Sequence, residues 1–336
     1  IQEKRDMLKT WNLVLIGLTY LLCLFGTFLT RSGVVQSVHS FADAGWFGSL
    51  FLGYVALMTV IFYGALLWRR RQLGSPNKLE SMVSREASFL LNNWVFMVLL
   101  LIVFWGTMLP VFSEALSGQR MTLGPTFFNG MTAIPSLLLL LLTGVGPLIA
   151  WRRATPRSLR RQFVGPTLGG LAVAAGLAVV FWGRIGFWSV GCWGLSAFVA
   201  MSVFQEYSRA TRARMRGHGE SLAGALASLL RKNQRRYGGY IVHVGSVLIL
   251  VGISGAAFNQ ESLENIGPGD SARIHDYRLE YLTAEAIPAQ HYGGASARLA
   301  LYRGDEPLAV MTPEKRMYWL EQQPSSIPSI YSTWYE

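Results

Sequence analysis

Five histidines carry the chain's most position-dependent chemistry. His243 stands apart from the rest. It falls about one turn inside the apolar run 240–258, which holds no Asp, Glu, Lys or Arg. Ionisable residues at membrane depth are rare and usually functional. A neutral imidazole there is either a ligand or a hydrogen-bond partner for a neighbouring helix, and the residues alone leave both readings open. Gly238, Gly239, Gly245, Gly252 and Gly255 surround it. Several recur at i, i+7 and would leave one side of the helix low and flat, a bed for a planar macrocycle.

His39 lies in a stretch running from Arg31 to Phe41 that is too apolar for a generous solvent loop and is expected at the interface. A histidine in such a loop is by default a surface group. His218 sits in an Arg-rich loop, and His275 and His291 in Asp- and Gly-containing stretches, all three expected on the surface. The last two match no compact zinc spacing. Cys23 and Cys192 fall inside apolar runs and read as small hydrophobes. Without C-x-x-C or C-x-x-C-H, the chain carries neither a dithiol pair nor a c-type haem attachment site of its own.

The elements that must position these histidines are membrane helices. The 336 residues are 51% hydrophobic and 15% charged, where a soluble domain is about 25% charged. Seven apolar runs are expected to span: 12–29, 46–68, 89–111, 131–151, 166–182, 187–204 and 240–258. The fifth and sixth are rich in Gly and Ala and separated by Gly183-Arg184-Ile185-Gly186. They read as a tight hairpin of closely approaching helices, or with one of the two re-entrant.

The net charge of +11 invites a nucleic-acid reading, and its distribution excludes one. Of 30 basic residues, 21 fall in alternate loops, while the opposite short loops hold only Arg31, Arg120 and Arg184. This is the positive-inside bias, which makes the basic loops cytoplasmic and anchors topology. His39 and His243 then belong to opposite ends of a hydrocarbon layer about 30 Å thick, so they cannot share one iron. If each binds haem there are two sites, each with one histidine from this chain.

Residues after 258 carry 6 basic and 11 acidic side chains, so a domain boundary is expected there. Runs at 277–283, 295–303 and 307–311 read as strands, the last two flanking the turn Gly304-Asp305-Glu306, and the chain from Gln322 on reads as irregular. The expected architecture is a membrane all-α helical bundle of about seven transmembrane helices, 1–258, followed by a small β-rich periplasmic domain, 259–336.

The motif order resembles the CcmF-type cytochrome c haem lyases over nearly the whole chain. The match runs through Gly26-Thr27-Phe28-Leu29-Thr30-Arg31-Ser32-Gly33-Val34 to Ser37-Val38-His39-Ser40-Phe41. It continues in Ser84-Arg85-Glu86, Leu91-Asn92-Asn93, Trp105-Gly106-Thr107 and Gly144-Val145-Gly146-Pro147. Phe204-Gln205-Glu206-Tyr207, Gly238-Gly239-Tyr240 with His243, and Pro313-Glu314-Lys315-Arg316 complete it.

The resemblance implies a bacterial inner-membrane enzyme that attaches haem to apocytochrome c through thioether bonds. His39 matches an axial ligand to the transferred haem, and His243 a ligand to a permanent haem b that keeps the transferred haem reduced. Arg31 is either an interfacial anchor or a partner for a haem propionate. Implied partners are a CcmE-type haem chaperone, CcmH- and CcmI-type apocytochrome delivery proteins, the apocytochrome and membrane lipid. The family's tryptophan-rich WWD segment and its second histidine ligands are expected upstream of residue 1, and a further helix after residue 336. The chain is therefore expected to be incomplete as a lyase, with another chain or segment supplying the N-terminal half. The alternatives are a non-catalytic scaffold docking maturation partners, and a nitrite-reductase-maturation paralogue of the same family. A transporter would need several intramembrane charges lining a path, which the apolar runs lack.

Overall fold

The computed structural model of the chain describes residues 2, 6–34, 46–75, 77, 79–150, 154–319 and 324–333. It divides into two compact units, Ile1–Ala257 and Phe258–Glu336. The first is helical: α1 (Lys9–Arg31), α2 (Trp46–Trp68), α3 (Arg85–Ser117), α4 (Pro125–Val145), α5 (Pro156–Val180), α6 (Phe187–His218), α7 (Leu222–Lys232) and α8 (Gln234–Ser254). All but α7 are long and apolar enough to cross a membrane, the last continuing through the 3-10 turn Gly255–Phe258.

Each apolar run becomes a helix, and several helices outgrow their runs. α3 begins at Arg85 because Ser84 caps it, its Oγ accepting from the Ala87 amide at 3.2 Å. It stops where Gly118 takes φ +68° and its amide donates to the Glu114 carbonyl at 2.9 Å. α6 passes beyond the apolar run at Phe204 for four further turns of Arg-rich sequence, since arginine is a strong helix former. α7 is amphipathic and buries Ala225 and Leu229.

The sequence left open whether 166–204 is a hairpin or re-entrant. α5 and α6 have 25 and 32 residues and form a full-length helical hairpin through the turn after Val180. Their backbones nearly touch. A Cβ on Gly170 would stand 2.7 Å from the Gly194 carbonyl oxygen, and one on Gly194 would stand 2.9 Å from the Ala174 Cβ. Only small residues permit that approach.

α6 is the hub. One cluster joins Val199, Phe198 and Cys192 of α6 to Leu140 of α4 and Val247 of α8. A second, nearer the basic end, joins Val203 to Leu229 of α7 and to Tyr237 and Tyr240 of α8. On the other flank Trp11 of α1 meets Trp94 of α3 at 5.3 Å between ring centroids, and α1 packs on α2, where Gly17 sits under Phe62.

The second unit is one antiparallel sheet: β1 (Ser271–Ile274), β2 (Tyr277–Pro288), β3 (Tyr292–Arg303), β4 (Glu306–Met311), β5 (Glu314–Tyr318) and β6 (Pro324–Ile327). β2 and β3 pair along their lengths. The far edge of β3 is shared, residues 292–296 pairing with β5 and 299–303 with β4. Alternation puts Leu279, Leu301 and Leu299 on one face and Arg278, Tyr302 and Arg298 on the other. The turn between β3 and β4 lies at Gly304-Asp305 as expected, with Gly304 at φ +59°. Pro324–Ile327, expected to be irregular, pairs with β5 as β6. Four residues give alternation too little length to show.

Candidate functional site

His243 is the tenth residue of α8. Its ring is half-buried, and its Nδ1 is buried without a hydrogen-bond partner among the described residues. The interhelical hydrogen bond that the bland reading requires is thus not made by that atom. The ring lines a cavity of roughly 680 Å³ between α3, α4 and α8, within the range of cofactor and ligand sites.

The wall from α8 is a stripe of Arg236, Gly239, Tyr240 and His243, at i, i+3, i+4 and i+7, with Arg235 beside its start. The wall from α3 repeats that spacing with Arg85, Ser88, Phe89 and Asn92. α4 contributes Leu142 and Thr143, then Gly146 and Pro147 just past its end. The cavity is therefore apolar where Phe89 and Leu142 line it, has amide and hydroxyl groups from Asn92 and Thr143, and is cationic at the end where α3 and α8 begin.

Both arginines are held in place. Arg85 donates its Nε to the Ile149 carbonyl at 3.1 Å and an Nη2 bond to the Pro147 carbonyl, and its amide bonds the Ala150 carbonyl at 3.1 Å. It thereby satisfies carbonyls left over where α4 ends. Arg236 donates to Glu206 Oε2 at 2.5 Å and from Nε to the Tyr240 hydroxyl at 3.3 Å. The Tyr240 hydroxyl also reaches Glu206, at 3.3 Å. Tyr207, Tyr237 and Tyr240 form a ring triangle with centroids 5.2–5.9 Å apart, and Tyr240 presents an edge to His243 at 6.4 Å. The network stiffens the turn of α8 just before His243.

The glycine expectation needs correction. At about 100° per residue, Gly238, Gly245 and Gly252 lie on the far side of α8 from His243, and a Cβ on any of them would meet nothing within 4 Å. Gly239 is the glycine that shares the histidine's side and lines its cavity. The i, i+7 pattern was real but faces away from His243.

The other candidates do not join this site. Arg31 is the exposed last residue of α1, at the opposite end of the bundle from the start of α8 by chain direction. His39 lies outside the described residues. His218, His275 and His291 are exposed, and Cys192 packs in the hub with its thiol 3.6 Å from the Leu250 carbonyl. Among the described residues no three His, Cys, Asp or Glu side chains gather into a metal cluster. Arg85, Arg236 and Asn92 escaped the sequence reading as site residues. The matching i, i+3, i+4, i+7 sets on two helices were the available signal, and their juxtaposition is tertiary.

Comparison with known proteins gives a consistent picture. Residues 257–336 match the family model described as the CcmF C-terminal beta-sandwich. The chain is 30% identical over 324 residues to the cytochrome c-type biogenesis protein CcmF of Escherichia coli K12, covering 95% of this chain and 47% of that protein. It is 29% identical over 331 residues to the cytochrome c-type biogenesis protein ccl1 of Rhodobacter capsulatus, covering 97% and 48%. A solved structure titled cytochrome c heme lyase CcmF superposes with a TM-score of 0.66 at 25% identity, covering 99% of this chain and 48% of that one. The chain thus spans about half the length of the relatives it matches.

Proposed function

We propose, from the premise that the chain belongs to the CcmF-type family, that it serves a bacterial inner-membrane haem lyase by holding a permanent b-type haem on His243. The observation that carries this reading is the buried Nδ1 of His243, without a hydrogen-bond partner among the described residues, beside a cavity of roughly 680 Å³. Bound there, haem supplies one-electron transfer that keeps the substrate haem ferrous.

The chain's own residues do the rest. His243 would hold the iron through a neutral imidazole, and Tyr240 and Phe89 would help exclude water around it. The Tyr240–Arg236–Glu206 network sets the orientation of the α8 turn that carries it. On the periplasmic side His39 serves as an axial ligand to the haem that is transferred, with Arg31 near a propionate. Each thioether forms as a cysteine S–H adds across a vinyl group, sulfur to one carbon and hydrogen to the other, with no net oxidation. Positioning is what the protein contributes.

In this reading the sheet unit is periplasmic and meets a CcmE-type haem chaperone, CcmH- and CcmI-type delivery proteins and apocytochrome c. The rest of the lyase supplies the WWD segment and the second histidine ligands. The test is a reduced-minus-oxidised absorbance spectrum of the chain purified in detergent with everything that accompanies it, beside the same preparation of His243→Ala. A b-type spectrum lost in the variant supports the reading. Bands unchanged in the variant remove His243 as the ligand, and no haem in the complete assembly favours a scaffold.

A further inference from the structure

We propose that Arg85 and Arg236 clamp the propionate carboxylates of the macrocycle that His243 ligates, an inference that rests on the haem reading above. Arg236 precedes His243 by seven residues on one stripe of α8, about 10 Å along the axis. That is the reach from an axial ligand to the carboxylate edge of a porphyrin lying along the helix. Gly239 and Tyr240 stand between them on the cavity wall, and a Cβ on Gly239 would meet nothing within 4 Å, so beside the Tyr240 ring this length of the wall is open. Across the cavity Arg85 precedes Asn92 by the same seven residues on α3. α3 and α8 both run inward from the basic side, which brings the two arginines to one end.

Charge points the same way. Arg85, Arg235 and Arg236 line the cavity, and no carboxylate is among its lining residues. Glu206, on α6, is shared between Arg236 and Arg209, the latter at 3.8 Å. The cavity end therefore presents guanidinium groups to whatever enters it. A planar guanidinium fork matches a carboxylate. Both forks are already fixed, Arg85 by the Ile149 and Pro147 carbonyls and Arg236 by Glu206 and Tyr240, so little side-chain freedom is lost on binding. The phosphate of an anionic lipid in the cytoplasmic leaflet offers similar chemistry and is the competing source of the anion.

The test uses the intact purified assembly with Arg236→Gln, Arg85→Gln and His243→Ala, stripped and reloaded with haem b or with its dimethyl ester. The readouts are haem retained, midpoint potential and phospholipid phosphate bound per protein. With haem b, Arg236→Gln is expected to weaken retention about tenfold. It should also lower the midpoint, because an uncompensated carboxylate favours ferric iron; a tenfold greater loss of ferrous than of ferric haem corresponds to about 59 mV. With the ester, wild type and Arg236→Gln should behave alike, a comparison that needs no folded Arg85 variant. Equal retention of haem b and its ester by wild type overturns the clamp, as does an unchanged midpoint in Arg236→Gln. Loss of tightly bound phosphate with haem unaffected overturns it in favour of lipid. A spectrum indifferent to His243→Ala overturns the haem reading itself, a failure separate from that of the clamp.

Discussion

The helical unit and the sheet unit dispose of their polar groups in opposite ways. In the bundle, several hydroxyls are satisfied within the helix that carries them. Thr59, Thr132, Thr143 and Ser202 each donate to the carbonyl four residues back at 2.7–2.8 Å. No water is needed at those depths. In the sheet, arginines stack on tyrosines across strands and pair with glutamates along their own. Arg278 stacks over Tyr302 at 4.1 Å, Arg303 over Tyr277 at 4.9 Å and Arg316 over Tyr292 at 4.6 Å. Arg278 and Arg316 also pair with Glu280 and Glu314. The apolar side differs as well. Val60 and Leu248 of the bundle are about two-thirds exposed and suit lipid, whereas Ala300 is the single buried residue among those described in the sheet. Exposure of an apolar side chain is therefore neutral in one unit and a weakness in the other. The bundle depends on close backbone packing, and the sheet on pairwise stacks.

The strongest way to break that contrast is to enlarge a residue where the bundle's backbones touch. Gly170→Leu places a side chain against the Gly194 carbonyl and Phe198. It should destabilise the α5–α6 hairpin by about 3 kcal/mol. Gly176→Leu, on the same helix with nothing within 4 Å of its Cβ, should stay within about 0.5 kcal/mol. Thermal melting in detergent, read by size exclusion, checks both. Equal behaviour of the two variants would show that the hairpin is not held by backbone contact.

The sheet should respond more gently and locally. Arg278→Ala removes the stack on Tyr302 and the 3.2 Å pair with Glu280. The expected loss is about 1 kcal/mol. Amide exchange on the whole chain should quicken in β1, β2 and β3 and leave the bundle's amides unchanged. Faster exchange in α6 or α8 would show that the two units share stability.

Much of this organisation was legible beforehand, for identifiable reasons. A twenty-residue apolar run with no charge has one economical reading, so seven helices could be placed. Their polar extensions could not, because α6 beyond Phe204 and the short α7 lack the apolar signal and resemble an anchoring loop. The turn at Gly304-Asp305 was visible because the residues announce it. β6 was hidden by its length. For the site, His243 was visible as an ionisable group in an apolar run. Which side of α8 mattered was not, since five glycines offered two faces and only the packing of α3 and α4 chose between them. His39 lies outside the described residues, so its place rests on the resemblance alone.

The smallest expected effect lies where the bundle behaves like the sheet, at the end of α6. There a partly buried ion pair joins Arg214 to Glu220, with a second bond from Nε to Oε2 at 2.8 Å. The Arg214 hydrogen bonds hold the Glu220 carboxyl below its ordinary range. A carboxyl depressed by folding contributes stability above its unfolded value of about 4.3, and that contribution disappears as pH falls through the lower folded value. Wild type should therefore melt slightly above Glu220→Gln from pH 8 down to about 5, and the two should converge in stronger acid. Salt should narrow the gap at neutral pH, since both partners are near solvent. A gap that persisted undiminished at pH 3 would mean that Glu220 acts through its hydrogen bond with Ser228, at 3.3 Å, and not through charge. The contrast between a bundle held by shape and a sheet held by charge and stacking would then extend to this surface turn.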